Sequence, residues 1–419
     1  MNFVTLLKCL GPGLMMAGAA IGVSHLVQSA RAGANFGWDL LLVVILTNVL
    51  KYPFFEIGHR YATVTGKNLL QGYSHMKQSK LFLSLFFILN IISAIVAIAA
   101  VTLVTALLAQ DLLPGKISAD LISAGILVLC FLLIAIGKYP LLDRLMKVMM
   151  ATLVLCVGTA FIYALYTYVP PTTVPEVNGL SLANLAFLIA LMGWMPAPIE
   201  ISVWQSLWIQ SKTESSDHAM TIEEGKIDFN FGYLLTIVMA IVFLGLGATL
   251  MFGKGANFSA SSAGFAKQLL EMCTHGLGPA FRPVVAAAAM ATMFSTSLTL
   301  FDAYPRSLHA CFHLLKSGDH AKHPFEFKSK LRWLSTFGAL ALIVIFLLVD
   351  QLKTLVDLAT TIAFLAAPFF AYLNYKLVFS GDFPENKKPG TLYRGLAKLG
   401  LSFLVLFSLL YLYQAIVGF

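Results

Sequence analysis

Residues 18–38 read GAAIGVSHLVQSARAGANFGW. The stretch starts as a membrane helix would, small and apolar, then meets Ser24, His25, Gln28 and Arg31 before it has crossed one bilayer thickness. Gly18 and Gly22 weaken the backbone just ahead of these side chains, because glycine costs a helix roughly 0.5–1 kcal/mol relative to alanine. A weak backbone and polar side chains at mid-span predict a helix that breaks inside the membrane. Irregular backbone at that depth is tolerated only where protein buries it or where it lines a cavity.

The rest of the chain supplies the membrane context. Of 419 residues, 58% are hydrophobic and 11% charged, against roughly 25% charged in ordinary soluble domains. So few charges cannot cover a soluble surface, so the composition predicts an integral, multi-pass, all-α membrane protein. The five cysteines are scattered without CxxC spacing, which predicts small packing residues and neither disulfides nor a zinc site. The apolar run after Lys8 continues to about Arg31, beyond the ~7–15 residues of a signal-peptide core, and reads as a retained first span. A window of roughly 20 apolar residues gives about eleven segments, near 5–31, 38–58, 81–109, 118–137, 142–168, 181–208, 229–253, 283–304, 331–350, 353–378 and 396–417.

Basic residues mark alternate connections. Arg60, Lys67, Lys77 and Lys80 follow the second segment, and Lys138, Arg144 and Lys147, against Asp143, lie around the connection between the fourth and fifth. Arg306, Lys316, Lys322, Lys328, Lys330 and Arg332 lie around the connection between the eighth and ninth, against Asp319 and Glu326. The positive-inside rule then places the N-terminus in the cytoplasm and the C-terminus outside, across a plasma membrane of the bacterial inner-membrane type. The acidic connection KTESSDHAMTIEEGKID runs against the pattern, but acids weigh little in that rule. This topology accounts for the net charge of +8 without any nucleic-acid partner.

A second interruption stands five segments after the first. In LIALMGWMPAPIEISVWQSLW, Gly193, Pro196 and Pro198 occupy the centre and Glu200 follows. Proline inside a helix removes a backbone donor and clashes with the preceding turn, so this sixth span is also predicted to break. Interrupted helices at matching positions of two inverted repeats mark the mid-membrane substrate site of a secondary transporter. Five helices per repeat is an odd number, which inverts the second relative to the first. The reading is one transmembrane domain over 1–419, with repeat one about 5–168, repeat two about 181–378 and an extra helix about 396–417. No HExxH, GxSxG or Walker motif is present, and an enzyme is not expected.

These residues resemble a known family. GPGLMMAGAAIGVSH…AGANFGW looks like the first helix of the Nramp proton-coupled divalent-metal transporters, VTGKNLLQG like their loop after helix 2, WMPAP stands where they carry Met-Pro-His, and STSLTLFDA is similar to their Ser/Thr-rich helix 8. The resemblance implies a LeuT-like fold of two inverted five-helix repeats with discontinuous helices 1 and 6. It also implies a substrate site at Gly22, Ser24, His25, Met195, Ala197 and Thr360. The family's Asp-Pro-Gly-Asn falls on Gly22-Val23-Ser24-His25, so its aspartate is absent and its asparagine is His25; its helix 6 histidine is Ala197, and its helix 10 glutamine is Thr360.

His25 and Met195 remain as a soft N/S pair suited to a transition metal. Glu200 and His25 are the candidates for proton coupling, an imidazole being the natural switch near neutral pH and an intramembrane acid normally facing a cavity or a partner. Arg31 is a candidate partner for Glu200. Lys51 and Glu56, read near the inner end of the second span, are candidate gating or snorkelling residues, and Asp302 and Arg306 have the i, i+4 spacing of a pair. Ser295, Thr296 and Ser297 would suit a sodium site instead. The histidines of HACFHLLKSGDHAKHP lack ordered metal-ligand spacing. The leading function is proton-coupled transport of a divalent metal cation. The alternative is a small organic solute or anion on the same fold, drawn to the half-helix amide ends and to Ser24, His25 and Arg31. Neither reading needs a resident cofactor or any partner beyond lipid and substrate, and a monomer is compatible with both.

Overall fold

The computed structural model describes residues 11–113, 117–136, 139–170, 177–215, 221–254, 258–259, 261–274, 282–318, 327–379 and 383–417. Residues 5–10 of the first segment lie outside them, with Cys9, Lys138, Asp319, His320, Lys322, His323 and Glu326, as do the side chains of Arg144, Lys147 and Cys273.

The described residues form helices α1 (Pro12–Ala20), α2 (Ala30–Phe36), α3 (Leu41–Thr65), α4 (Leu69–Ser74), α5 (Ser79–Leu112), α6 (Ala119–Ile136), α7 (Tyr139–Tyr166), α8 (Leu185–Gly193), α9 (Ile201–Ser215), α10 (Ile222–Leu250), α11 (Ser262–Thr274), α12 (Arg282–Ser317), α13 (Phe327–Leu348), α14 (Leu352–Phe379) and α15 (Thr391–Val417), with no strand among them. Among the described residues seven helices are long and apolar enough to cross a membrane, and α1 with Ser24–Phe36, bent by 44°, makes an eighth if the pair is one span. Helix occupies all eleven segments read from the sequence, at least in part. The protein is an all-α, multi-pass membrane protein.

The first span lies at the centre. Every residue of α1 is buried, and α1 and α2 pack along α10. Small residues make that approach close: a Cβ on Gly33 would lie 1.9 Å from the Leu244 carbonyl oxygen, and one on Gly247 2.2 Å from that of Ala30. Lipid offers no hydrophobic drive between helices, so such small-residue seams supply the packing. The opposite extreme is α15, where only Ala397, Gly400, Leu404 and Ser408 are buried and Leu399, Leu406, Leu409 and Ile416 face outward, as a lipid-facing helix should.

Two connecting helices went unread in the sequence. The six-residue α4 starts on a reciprocal Asn68–Gln71 capping box. Helix α11 is short and carries Lys267 and Glu271, so a hydropathy window passes over it.

Candidate functional site

Both predicted breaks are present. Helix α1 ends at Ala20, and after residues 21–23 the chain resumes as a π-helical segment, Ser24–Ser29, which runs into α2. Wide π turns recur at functional sites. Gly22 is required by its neighbour, since a Cβ there would lie 2.7 Å from Thr296 Oγ1 on α12. Helix α8 ends at Gly193, and residues 194–200 stay non-helical until α9.

The breaks meet at a small cavity of about 10 Å³, lined among others by Ser24, Trp194, Ala197, Trp204, Thr296 and Tyr304. Its polar side-chain groups are the hydroxyls of Ser24, Thr296 and Tyr304 and the indole N–H groups of Trp194 and Trp204. Thr296 Oγ1–H donates to the Gly18 carbonyl at 3.0 Å, and Tyr304 O–H donates to Glu200 Oε1 at 3.3 Å.

The sequence-derived site residues divide at this cavity. Ser24 and Ala197 line it, whereas Gly22, His25, Met195 and Thr360 do not. His25 is fully buried with both ring nitrogens engaged: Nε2 is 2.9 Å from the Thr236 carbonyl oxygen and Nδ1 2.6 Å from Ser24 Oγ. A carbonyl only accepts, so Nε2 carries a proton. Met195 is buried, and Thr360 Oγ1–H donates to the Val356 carbonyl on its own helix at 2.9 Å. Among the described residues no three His, Cys, Asp or Glu side chains cluster as metal ligands. Glu200 is also fully buried, and its Oε2 has no hydrogen-bond partner among the described residues.

Arg31, Lys51 and Glu56 find partners the sequence did not name, whereas Asp302 and Arg306 pair as their spacing predicts. Arg31 pairs with Asp357 on α14, not with Glu200: Nη1 donates to Oδ1 at 2.6 Å and Nη2 to Oδ2 at 3.1 Å. Gln28 Nε2 also donates to Asp357 Oδ1, at 2.8 Å, and the guanidinium lies 5.1 Å from the Phe187 ring centroid. Lys51 sits mid-helix rather than at the inner end of its span, is wholly buried rather than snorkelling, and donates to the Met192 and Gly193 carbonyls. Glu56 accepts from Arg60 and from Tyr393 O–H, at 2.7 Å for the latter. Arg306 and Asp302 form a two-point pair at 2.9 and 3.0 Å.

Asp228 is the other residue the sequence reading missed. Its Oδ1 and Oδ2 accept the Gly11 and Gly13 backbone N–H groups at 2.8 and 2.7 Å, and His59 Nε2 lies 3.9 Å away. Helix α1 has no capping side chain of its own, so this carboxylate from α10 satisfies orphan donors at its positive end. The available signals were acids at the ends of apolar segments, for Asp228 and Asp357 alike.

Two interrupted spans enclosing a buried cavity in an all-helical, multi-pass body define a membrane transporter of the broken-helix class. The chain belongs to the Nramp family, natural resistance-associated macrophage protein-like, whose profile matches residues 13–414. It is 36% identical over 410 residues to an uncharacterized protein of Pasteurella multocida, covering 97% of this chain and 92% of that one. It is 25% identical over 268 residues to a divalent metal cation transporter of Staphylococcus aureus, covering 60% and 57%. A mutant manganese transporter of Eremococcus coleocola superposes with TM-score 0.74 at 17% identity, over 99% of this chain and 88% of that one. A Na+-coupled sialic acid symporter superposes with TM-score 0.63 at 13% identity, over 94% and 87%. These two neighbours are LeuT-fold transporters, and the fold of this chain is LeuT-like.

Proposed function

We propose that the chain is a secondary transporter working by alternating access, with a divalent metal cation as its cargo at the cavity between the breaks. The carrying observation is the meeting of both interrupted spans at one buried space. Family membership and the names of the Staphylococcus and Eremococcus relatives support the metal. The lining offers hydroxyl and carbonyl oxygens (Ser24, Thr296, Tyr304 and the residues of the breaks), the hard donor set that suits magnesium or manganese. The unpartnered Glu200 carboxylate oxygen supplies the nearby negative charge a dication needs. The inverted repeats, 5–168 and 181–378, the eleven spans, the cytoplasmic N-terminus and the bacterial inner membrane belong to the same proposal.

Proton coupling is also proposed, through His25 or Glu200. Neutral His25 accepts from the Ser24 hydroxyl at Nδ1. Protonated His25 donates there instead, which turns the hydroxyl toward the Ala20 carbonyl, 2.7 Å away, or the Pro196 carbonyl, 3.4 Å away across the second break. Proton binding thus rewires the bond between the two broken spans. The test is uptake of manganese, magnesium and cadmium into proteoliposomes under a pH gradient and then a sodium gradient, for wild type, Glu200→Gln and His25→Ala. Metal uptake driven by the pH gradient and lost in Glu200→Gln supports the proposal; no metal flux above empty liposomes contradicts it.

The second reading is a small organic solute or anion. Trp194, Trp204 and Tyr304 give the cavity aromatic walls, which suit an organic cargo. Thermal stabilisation by carboxylates or bicarbonate and not by metals would select it.

A further inference from the structure

Lys51 is left unused by the transport reading. Its Nζ, wholly buried in the middle of α3, donates to the carbonyl oxygens of Met192 at 2.6 Å and Gly193 at 2.9 Å. These carbonyls close α8 at the second break. The final carbonyls of a helix lack intrahelical partners and carry the negative end of its dipole. Pro196 and Pro198 contribute no backbone N–H, so the break holds more acceptors than donors. Lys51 makes no ion pair among the described residues; the acid whose charge acts on it is Glu200, beyond the same break. A buried ammonium needs its donors and charge compensated; the helix end accepts two of its three N–H groups and sets the negative end of its dipole against the charge.

In transporters with broken helices, the carbonyl ends of half-helices coordinate the coupling cation. We propose that Lys51 is a tethered cation: its ammonium fills, at the carbonyl end of α8, the seat an alkali ion would otherwise take. The inference rests on reading the two breaks as a transport site. The chain then brings its own monovalent charge to the break, and alkali ions have no seat there. Removing the ammonium without filling its space vacates the seat for a free ion.

The test is the melting temperature of the purified full-length protein in sodium, lithium, potassium or N-methylglucamine chloride at equal ionic strength. Wild type, Lys51→Met and Lys51→Arg are compared, each purified in sodium chloride and exchanged. Wild type and Lys51→Arg should melt alike in all four salts. Lys51→Met should melt lowest in N-methylglucamine and rise, saturably and by about 5 °C or more, with at least one alkali ion. A mere packing role for Lys51 predicts a lower melting temperature with no ion-selective recovery, and that result overturns the proposal. So does a wild type stabilised by an alkali ion as strongly as Lys51→Met. If Lys51→Met cannot be purified even in sodium chloride, the proposal also fails, because sodium should occupy the vacated seat. The melts need no substrate, so a failed uptake assay beside an intact ion response sinks the transport reading alone.

Discussion

The first broken span bends by 44° and resumes after residues 21–23, whereas the sixth stays irregular through residues 194–200. Their backbones explain the contrast. The first break is made by glycine, which keeps its N–H: Ile21 N–H donates to the Ala17 carbonyl and Gly22 N–H to that of Ala20, both at 2.8 Å, and Leu26 N–H to that of Gly22 at 2.9 Å. The chain repairs itself within a turn and needs His25 and Ser24 only to pin it to α10 and to the second break. The second is made by Pro196 and Pro198, which lack the donor needed for such repair. The carbonyls that end α8 ahead of them take donors from another helix: Lys51 of α3 reaches those of Met192 and Gly193, and the Met195 N–H also reaches Met192 at 3.3 Å. The glycine break keeps its own donors, whereas the helix end before the proline break takes an ammonium from α3.

The largest expected effect is on the packing that carries the first break. Gly33→Leu would drive a side chain into the Leu244 backbone, and folded protein should be lost, at a cost above about 4 kcal/mol. Size-exclusion chromatography of the purified variant checks this; a monodisperse peak with wild-type melting would show that α2 does not depend on that seam.

Next comes Lys51→Met, which leaves the buried Gly193 carbonyl without its Lys51 donor and the Met192 carbonyl with only backbone donors, at a cost of about 1–3 kcal/mol. Ser24→Ala, by contrast, removes one hydroxyl from the self-repaired break and should cost about 1 kcal/mol. Denaturant melts of the two variants in the same detergent measure the difference, and equal losses would dissolve the distinction between the breaks.

Asp228→Asn keeps one carbonyl acceptor for the α1 end but loses the charge and the second acceptor. A loss of about 1–2 kcal/mol is expected, read as a lowered melting temperature. Smallest is Arg31→Lys, which gives up the two-point contact with Asp357. Because that aspartate is 37% exposed, solvent screening holds the expected loss to about 0.5–1 kcal/mol; a drop as large as that of Lys51→Met would mean that this pair holds the span together.

What was legible in the sequence follows the same division. Breaks are local backbone chemistry, so Gly22, Pro196 and Pro198 announce themselves, and so do the apolar helices around them. Partners are not local. Lys51 meets carbonyls about 140 positions away, Arg31 an aspartate more than 300 away, and Asp228 an amide pair more than 200 away, and only the packing of the spans sets those meetings. His25 shows the converse. Its position pointed to the cavity, but the wide Ser24–Ser29 turn swings its ring toward Thr236, a rotation that periodicity at 3.6 residues per turn does not anticipate.

Cargo should pass through the space between the two breaks. Ala197 lines that space and is 1% exposed, so Ala197→Trp fills it without touching Lys51, Glu200 or His25 chemically. Manganese uptake into proteoliposomes should be robust for wild type and fall to the empty-liposome level for Ala197→Trp, while the variant still elutes as folded protein. Wild-type uptake by a folded Ala197→Trp would place the pathway elsewhere and contradict the account.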